Sequence, residues 1–214
     1  MERFISVAIG YVFGLFQTAF ILGKIYHIDV RQHGSGNLGS TNVLRTLGKK
    51  AGAVNLVCDC LKCILAIIVV RAIFKRSCSD MLPLLSLYAA AGCILGHNFP
   101  FYLKFKGGKG IAASLGMLIA FDWKIFLICA VVFFGLFFIT HYVSLCSLSA
   151  YIAAFISLLV FGRMGYYKMS PAYMTELYVL MGFLTLLAVF EHRNNIKRLM
   201  NGTESKIYLK NKKG

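Results

Sequence analysis

The chain has 214 residues, 58% of them hydrophobic and only 14% charged. A soluble domain of this size carries about 25% charged residues, so the composition speaks against a soluble globular enzyme. The formal net charge of +15 fits anionic lipid headgroups beside basic loops more simply than a nucleic-acid partner.

The first apolar run, 4–22, is too long for the roughly 7–15-residue core of a signal peptide, and no A-x-A site follows it. It reads as a membrane span. Further apolar blocks lie at 53–74, 81–103, 110–121, 124–140, 144–162 and 172–190. About 20 residues cross a hydrocarbon core of about 30 Å. The stretch 110–140 is divided at Asp122-Trp123-Lys124, where an aromatic beside two charges marks a water interface. The expectation is an all-α polytopic membrane protein of seven helices, a single domain over 1–214 with a basic tail from about 191.

With Met1 outside, the inner segments carry 15 Lys and Arg and the outer ones seven, with Lys62 inside a span. The positive-inside rule then gives N-terminus out, C-terminus in, with the Gly-rich loops on the cytoplasmic side. The cysteines at 58, 60, 63, 78, 93, 129 and 146 fall mostly in apolar runs, and Cys60-Leu-Lys-Cys63 has no second pair at zinc-finger spacing. They read as small buried hydrophobes.

Backbone in hydrocarbon has to be helical or a closed barrel, so unusual loops stand out. The first is GSGNLGSTNVLR at 34–45. It contains G-x-G-x-x-G, but a dinucleotide fold needs a buried strand before the glycines, and Asp29-Val-Arg-Gln-His33 supplies none. Two readings stay open: an anion cradle, with Ser35, Asn37, Thr41, Asn42 and Arg45 as polar groups, or a capped turn with Ser40 or Thr41 at a helix start. In the span that follows, Asp59 and Lys62 share a helical face at i, i+3, which favours a structural ion pair.

The second loop is GHNFPFYLKFKGGKG at 96–110. It is not a Walker A sequence, because Gly110 follows Lys109 and Leu103 stands where the first glycine belongs. Lys104, Lys106 and Lys109 beside Gly107 and Gly108 suit a phosphate ester or, alternatively, lipid headgroups. His97 beside Pro100 is a site residue or a helix cap. A weaker cluster follows at 141–149, with Ser144 and Ser147 at a helix start. The third loop, EHRNNIKRLMNGTESKI at 191–207, places His192, Arg193 and Asn195 just after the last span, as a folded-back site element or a solvated tail.

Together these motifs resemble the acyl-phosphate-dependent glycerol-3-phosphate acyltransferases of bacteria, the PlsY family, over nearly the full chain. Matching positions are Ser35, Gly36, Asn37, Thr41, Asn42 and Arg45; His97, Pro100, Lys104, Gly107, Gly108, Lys109 and Gly110; and His192, Arg193, Asn195, Gly202 and Glu204. Asp59, Lys62 and the YVSLCSLS run also match. Ser40 stands where alanine is more usual, and His141 where arginine is. The resemblance implies seven helices in the bacterial cell membrane and transfer of a fatty acyl group from acyl phosphate to the 1-hydroxyl of glycerol 3-phosphate. The products are lysophosphatidic acid and inorganic phosphate.

On that reading Ser35 and Asn37 orient the acyl-phosphate carbonyl, His192 assists proton removal, and Asn195 orients His192 or the substrate. Gly36, Thr41, Asn42, Arg45, His97, Lys104, Gly107, Gly108, Lys109, Gly110, Ser144 and Arg193 are the substrate-binding candidates. No metal, cofactor, nucleic acid or obligate protein partner is implied. Rival readings lack their signatures. There is no repeated loop motif for a transporter, and no histidine has Asp five residues on, as H-x-x-x-x-D acyltransferases require. The four aspartates, at 29, 59, 80 and 122, are too scattered for a metal-dependent phosphotransferase.

Overall fold

The computed structural model describes residues 1–208. The last part of the expected basic tail, 209–214, lies outside the described residues. Among those described there are ten α-helices and three short 3-10 turns, with no strand. The helices are α1 (Glu2–Gly14), α2 (Thr18–Ile25), α3 (Ser40–Leu47), α4 (Lys49–Phe74), α5 (Leu82–Asn98), α6 (Ile111–Phe121), α7 (Trp123–Thr140), α8 (Val143–Arg163), α9 (Pro171–Glu191) and α10 (Arg193–Met200).

Six segments are long and apolar enough to cross a membrane: Glu2–Ile25, Lys49–Phe74, Ser79–Leu103, Trp123–Thr140, Val143–Arg163 and Pro171–Glu191. All seven apolar blocks fold as helices, but α6, with 11 residues, spans only about 16 Å at 1.5 Å per residue. Its two ends contact residues near the two ends of α5. Gly110, at its start, packs on Asn98 at the C-terminal end of α5. At its finish, the Phe121 carbonyl accepts from Arg71 near the end of α4, and Arg71 Nε also donates to Ser86 near the start of α5 at 2.8 Å.

The division at Asp122 falls where the interfacial residues place it. The Asp122 carboxylate caps α7, accepting from Lys124 N at 2.9 Å and Ile125 N at 3.4 Å, a contribution of about 1 kcal/mol. Tyr167 OH donates to the other oxygen of Asp122 at 2.9 Å, tying the α8–α9 turn to the same end.

Close helix packing here comes from small residues, since lipid supplies no hydrophobic drive between helices. Gly10 and Gly14 on α1 face Gly92 and Gly96 on α5, a G-x-x-x-G pair on each helix. A Cβ at any of the four would collide with backbone of the partner helix, at Ala89, Cys93, Val7 and Tyr11 respectively.

The first span is broken at 15–17, where the sequence carries no proline or glycine. The break is filled from the side. Gln17 Nε2 donates to Gly14 O at 3.2 Å and His97 O at 3.0 Å. Lys62 Nζ donates to Phe16 O at 2.7 Å and Gly14 O at 3.4 Å. The freed carbonyls of α1 are therefore satisfied, as backbone inside a membrane requires.

Candidate active site

The segments 26–48, 99–110, 141–142 and 192–208 gather at one end of the bundle. They surround a cavity of about 700 Å³. Its mouth is polar and its depth apolar.

The loop at 34–39 is shaped from within. Gly34 and Gly36 take positive φ of 59° and 69°, a conformation glycine adopts without strain. Asn42, 1% exposed, accepts from Ser35 N at 2.8 Å and donates to Val30 O at 3.1 Å and His33 O at 3.0 Å. Its amide is spent on holding the loop. Gly36 N also turns back, onto His33 O at 3.0 Å. What the loop offers the cavity is the side chains of Ser35, Asn37, Ser40, Thr41 and Arg45 and the open first turn of α3. Arg45 has no hydrogen-bond or ion-pair partner among the described residues.

The 99–110 loop is bound back onto α5 in the same way. Gly107 N donates to Asn98 O at 3.0 Å and Gly108 N to His97 O at 3.1 Å. A Cβ at Gly107 would strike the His97 carbonyl, and one at Gly108 would strike His97 Nε2. Both glycines permit close packing, and their N–H groups are not free for an anion. Lys109 and Gly110 do line the cavity, with Ile111 and Ala112 at the open N-terminus of α6. Lys104, at φ 54°, is exposed and outside the lining.

The start of the expected tail folds as α10 and docks under the bundle. His192, Asn195 and Arg198 recur at i, i+3 spacing on one face, and all three line the cavity. Arg193, one residue on from His192, turns outward. Its Nη1 donates to Phe190 O at 2.9 Å and its guanidinium lies over the Phe190 ring at 4.3 Å. The structure therefore gathers Ser35, Asn37, Thr41, Asn42, Arg45, His97, Lys109, Gly110, Ser144, His192 and Asn195. It leaves Gly36, Lys104, Gly107, Gly108 and Arg193 off the cavity wall.

Glu204 organises the mouth. Its carboxylate accepts from Asn195 Nδ2 at 2.6 Å, Ser144 Oγ at 2.8 Å and Arg198 Nε at 2.6 Å. Burial raises its pKa, but those three hydrogen bonds outweigh burial and hold it below the usual range. Asn195 Oδ1 accepts in turn from Lys109 Nζ. Asn195 thus ties Lys109 to Glu204, and no hydrogen bond joins it to His192 among the described residues. Burial, with the neighbouring charge of Arg198, lowers Lys109 to about 8.

His192 Nδ1 lies 2.8 Å from Ala188 O. A carbonyl only accepts, so the proton sits on Nδ1 and the neutral ring keeps an acceptor lone pair on Nε2. Burial and nearby Lys109 lower its pKa to about 4, which keeps the ring neutral at ordinary pH. The N-termini of α3, α6 and α8 also open on the cavity, each carrying roughly half a positive charge. With Arg45, Lys109 and Arg198 they make a mouth suited to anions.

Beneath the mouth the cavity continues as an apolar furrow walled by Leu56 on α4, Leu115 and Leu118 on α6, Phe126 and Phe133 on α7, and Ala150 and Ala154 on α8. Ser114 and Tyr151, also in its wall, hydrogen-bond to each other.

A deeper network braces this end. Asp59 pairs with Lys62 at 2.8 Å, as the i, i+3 spacing suggests. Asn55 Nδ2 bridges Asp59 Oδ2 and Ser40 Oγ, each at 2.9 Å. The hydroxyl at Ser40 is thereby given a partner that alanine would lack.

His141 occupies the left-handed C-terminal position of α7 at φ 59°. Its carbonyl accepts from Ile207 N at 3.0 Å, and its ring packs on Tyr208. The seven cysteines are free thiols. Among the described residues no three His, Cys, Asp or Glu side chains converge as a ligand set.

The glycerol-3-phosphate acyltransferase family profile matches residues 4–202. The chain belongs to that family. A glycerol-3-phosphate acyltransferase of Bacillus cytotoxicus is 42% identical, covering 95% of this chain and 94% of its own. One from Clostridioides difficile is 40% identical, with the same coverage. The fold superposes with a TM-score of 0.84 on a crystal structure of PlsY, an integral membrane glycerol 3-phosphate acyltransferase, in its glycerol 3-phosphate form. That protein is 31% identical over 97% of this chain and 96% of its own. This acyltransferase chain thus shares an integral membrane architecture with PlsY.

Sequence reading assigned no role to Arg198, Glu204, Ser114 or Tyr151. Arg198 was legible, since it continues the His192–Asn195 spacing by one more step of three. Glu204 is among the motif positions of the resemblance, but its contacts with Ser144 and Asn195 arise only when the chain folds back beneath α8.

Proposed function

We propose that this chain transfers a fatty acyl group from acyl phosphate to the 1-hydroxyl of glycerol 3-phosphate, releasing lysophosphatidic acid and inorganic phosphate. The observation that carries the reading is one cavity joining a cationic, helix-N-terminus-lined mouth to an apolar furrow. Both substrates bear phosphate, and only the donor brings a long apolar chain. The furrow suits the acyl chain; Arg45, Lys109 and Arg198 suit the phosphates.

Acyl phosphate is a mixed anhydride, already activated, so no covalent acyl-enzyme is required. Ser35 and Asn37 orient the donor at its carbonyl. The 1-hydroxyl oxygen attacks that carbon, the C–O bond to phosphate breaks, and the hydroxyl proton passes to the departing phosphate, with His192 Nε2 as the relay. Positioning and charge stabilisation supply most of the rate. Glu204 and Asn195 hold Lys109 and Arg198 in place. The basic loops at this end face the cytoplasm, with seven passages of the chain, α6 included, between the two sides and Met1 outside.

The test is stoichiometry. One inorganic phosphate should appear for each lysophosphatidic acid formed, at every time point. Product without matching phosphate overturns the reading.

A further inference from the structure

The apolar furrow stops short of the far end of the bundle, and a small group of side chains makes the stop. Along α8 the cavity wall runs from Val143 to Ala154, about 16 Å at 1.5 Å per residue. Beyond it lies a separate apolar void of about 10 Å³ against Leu87, Phe121, Ile125 and Leu158. Met117, Leu118 and Ala154 line both spaces, so these three side chains are the partition. Met117 and Ala154 are each 2% exposed, with their surfaces given to that partition and the surrounding core.

We propose that Met117, backed by Leu118 and Ala154, sets the length of acyl chain this enzyme accepts. The inference rests on the reading that the furrow holds the donor's chain. A chain that ends at the partition fills the furrow. A longer one has to displace a thioether packed among core residues or bend out of the furrow past Ile119, which is 42% exposed. Methionine suits the position because its unbranched stem fills irregular gaps, and shortening it joins the void to the furrow. Ala154 is the complementary control, since enlarging it from the opposite helix shortens the same slot. In a fitted apolar slot one methylene too many or too few changes kcat/KM by about tenfold or more.

The experiment measures kcat/KM for purified protein with saturated acyl phosphates of twelve to twenty carbons at fixed glycerol 3-phosphate. Met117→Ala should move the optimum to chains two or more carbons longer, raising the ratio of longer to original substrate about tenfold. Ala154→Leu should move it the other way. A general loss of stability lowers activity at every length and cannot produce opposite shifts. Profiles that superimpose on the wild type, or fall uniformly, overturn the ruler while leaving the donor assignment intact. A wild-type protein inactive with every acyl phosphate overturns the donor assignment, and the ruler with it.

Discussion

Lys62 Nζ donates to His97 Nδ1 at 2.7 Å, and the same ammonium pairs with Asp59 at 2.8 Å. An ammonium has no lone pair, so Nδ1 of His97 accepts, and the neutral ring carries its proton on Nε2. That nitrogen faces Gly108. Lys62 therefore links the break in the first span, through His97, to the loop that presents Lys109.

Removing one partner of a buried pair costs about 3–5 kcal/mol, because the other charge is left uncompensated. Lys62→Met strands Asp59 and uncovers the carbonyl of Phe16, while Gly14 O keeps the Gln17 amide. Thermal unfolding in detergent should show a loss of that size, and Asp59→Leu added to it should restore part of the loss. A Lys62→Met protein as stable as the wild type would remove the pair from the account of the fold.

Arg45 and Gly36 separate a substrate cradle from a capped turn. Arg45 is exposed at the cavity mouth and has no partner among the described residues, so Arg45→Ala should leave stability almost unchanged. Turnover should fall by 10²-fold or more, on the order of 3 kcal/mol. Arg45→Lys should recover only part, because an ammonium cannot reproduce the planar fork. Gly36→Ala forces a side chain onto φ 69° and brings its Cβ to 3.1 Å from Arg31 O. It should lower activity through loop distortion. Steady-state kinetics on well-folded variants decide the matter, and near-normal turnover by Arg45→Ala takes the loop out of the site.

The pH profile should show Lys109. Burial and Arg198 hold its pKa down to about 8, so its charge is present below that pH and lost as pH rises through it. The kcat/KM for glycerol 3-phosphate should fall above about pH 8. Lys109→Arg should remove that alkaline limb, since guanidinium stays charged throughout. His192, lowered to about 4, stays a neutral acceptor across the same range and loses its lone pair only on acidification through about 4. An alkaline limb unchanged in Lys109→Arg would assign it to another group.

Orientation is open to labelling. In a background lacking the seven native cysteines, new ones at Lys49, Gly107 or Thr203 should resist an impermeant thiol reagent in intact cells. One at Lys168, on the opposite end of the bundle, should react. Reaction at Gly107 from outside reverses the topology.

Helix positions were legible because apolar runs and their charged borders state them directly; Asp122 marks its break and also caps the next helix. The break at 15–17 was not, because its cause lies in Lys62 and Gln17 reaching in from elsewhere. The G-x-x-x-G pairs at 10–14 and 92–96 were visible, but their meaning lies in facing each other. Within the site, residue type pointed to the right loops while helical phase decided which residues face inward. His192, Asn195 and Arg198 do, and Arg193 between them does not. Glycine-rich sequence suggested free N–H donors, yet that of Gly36 is spent within its own loop and those of Gly107 and Gly108 on the end of α5.

The central claim is the donor. Purified protein is given glycerol 3-phosphate with acyl phosphate, acyl-CoA or acyl carrier protein at equal chain length, and lysophosphatidic acid is quantified. Product from acyl phosphate alone is the result the cavity and its cationic mouth predict. Robust turnover of acyl-CoA or acyl carrier protein, with none from acyl phosphate, contradicts it.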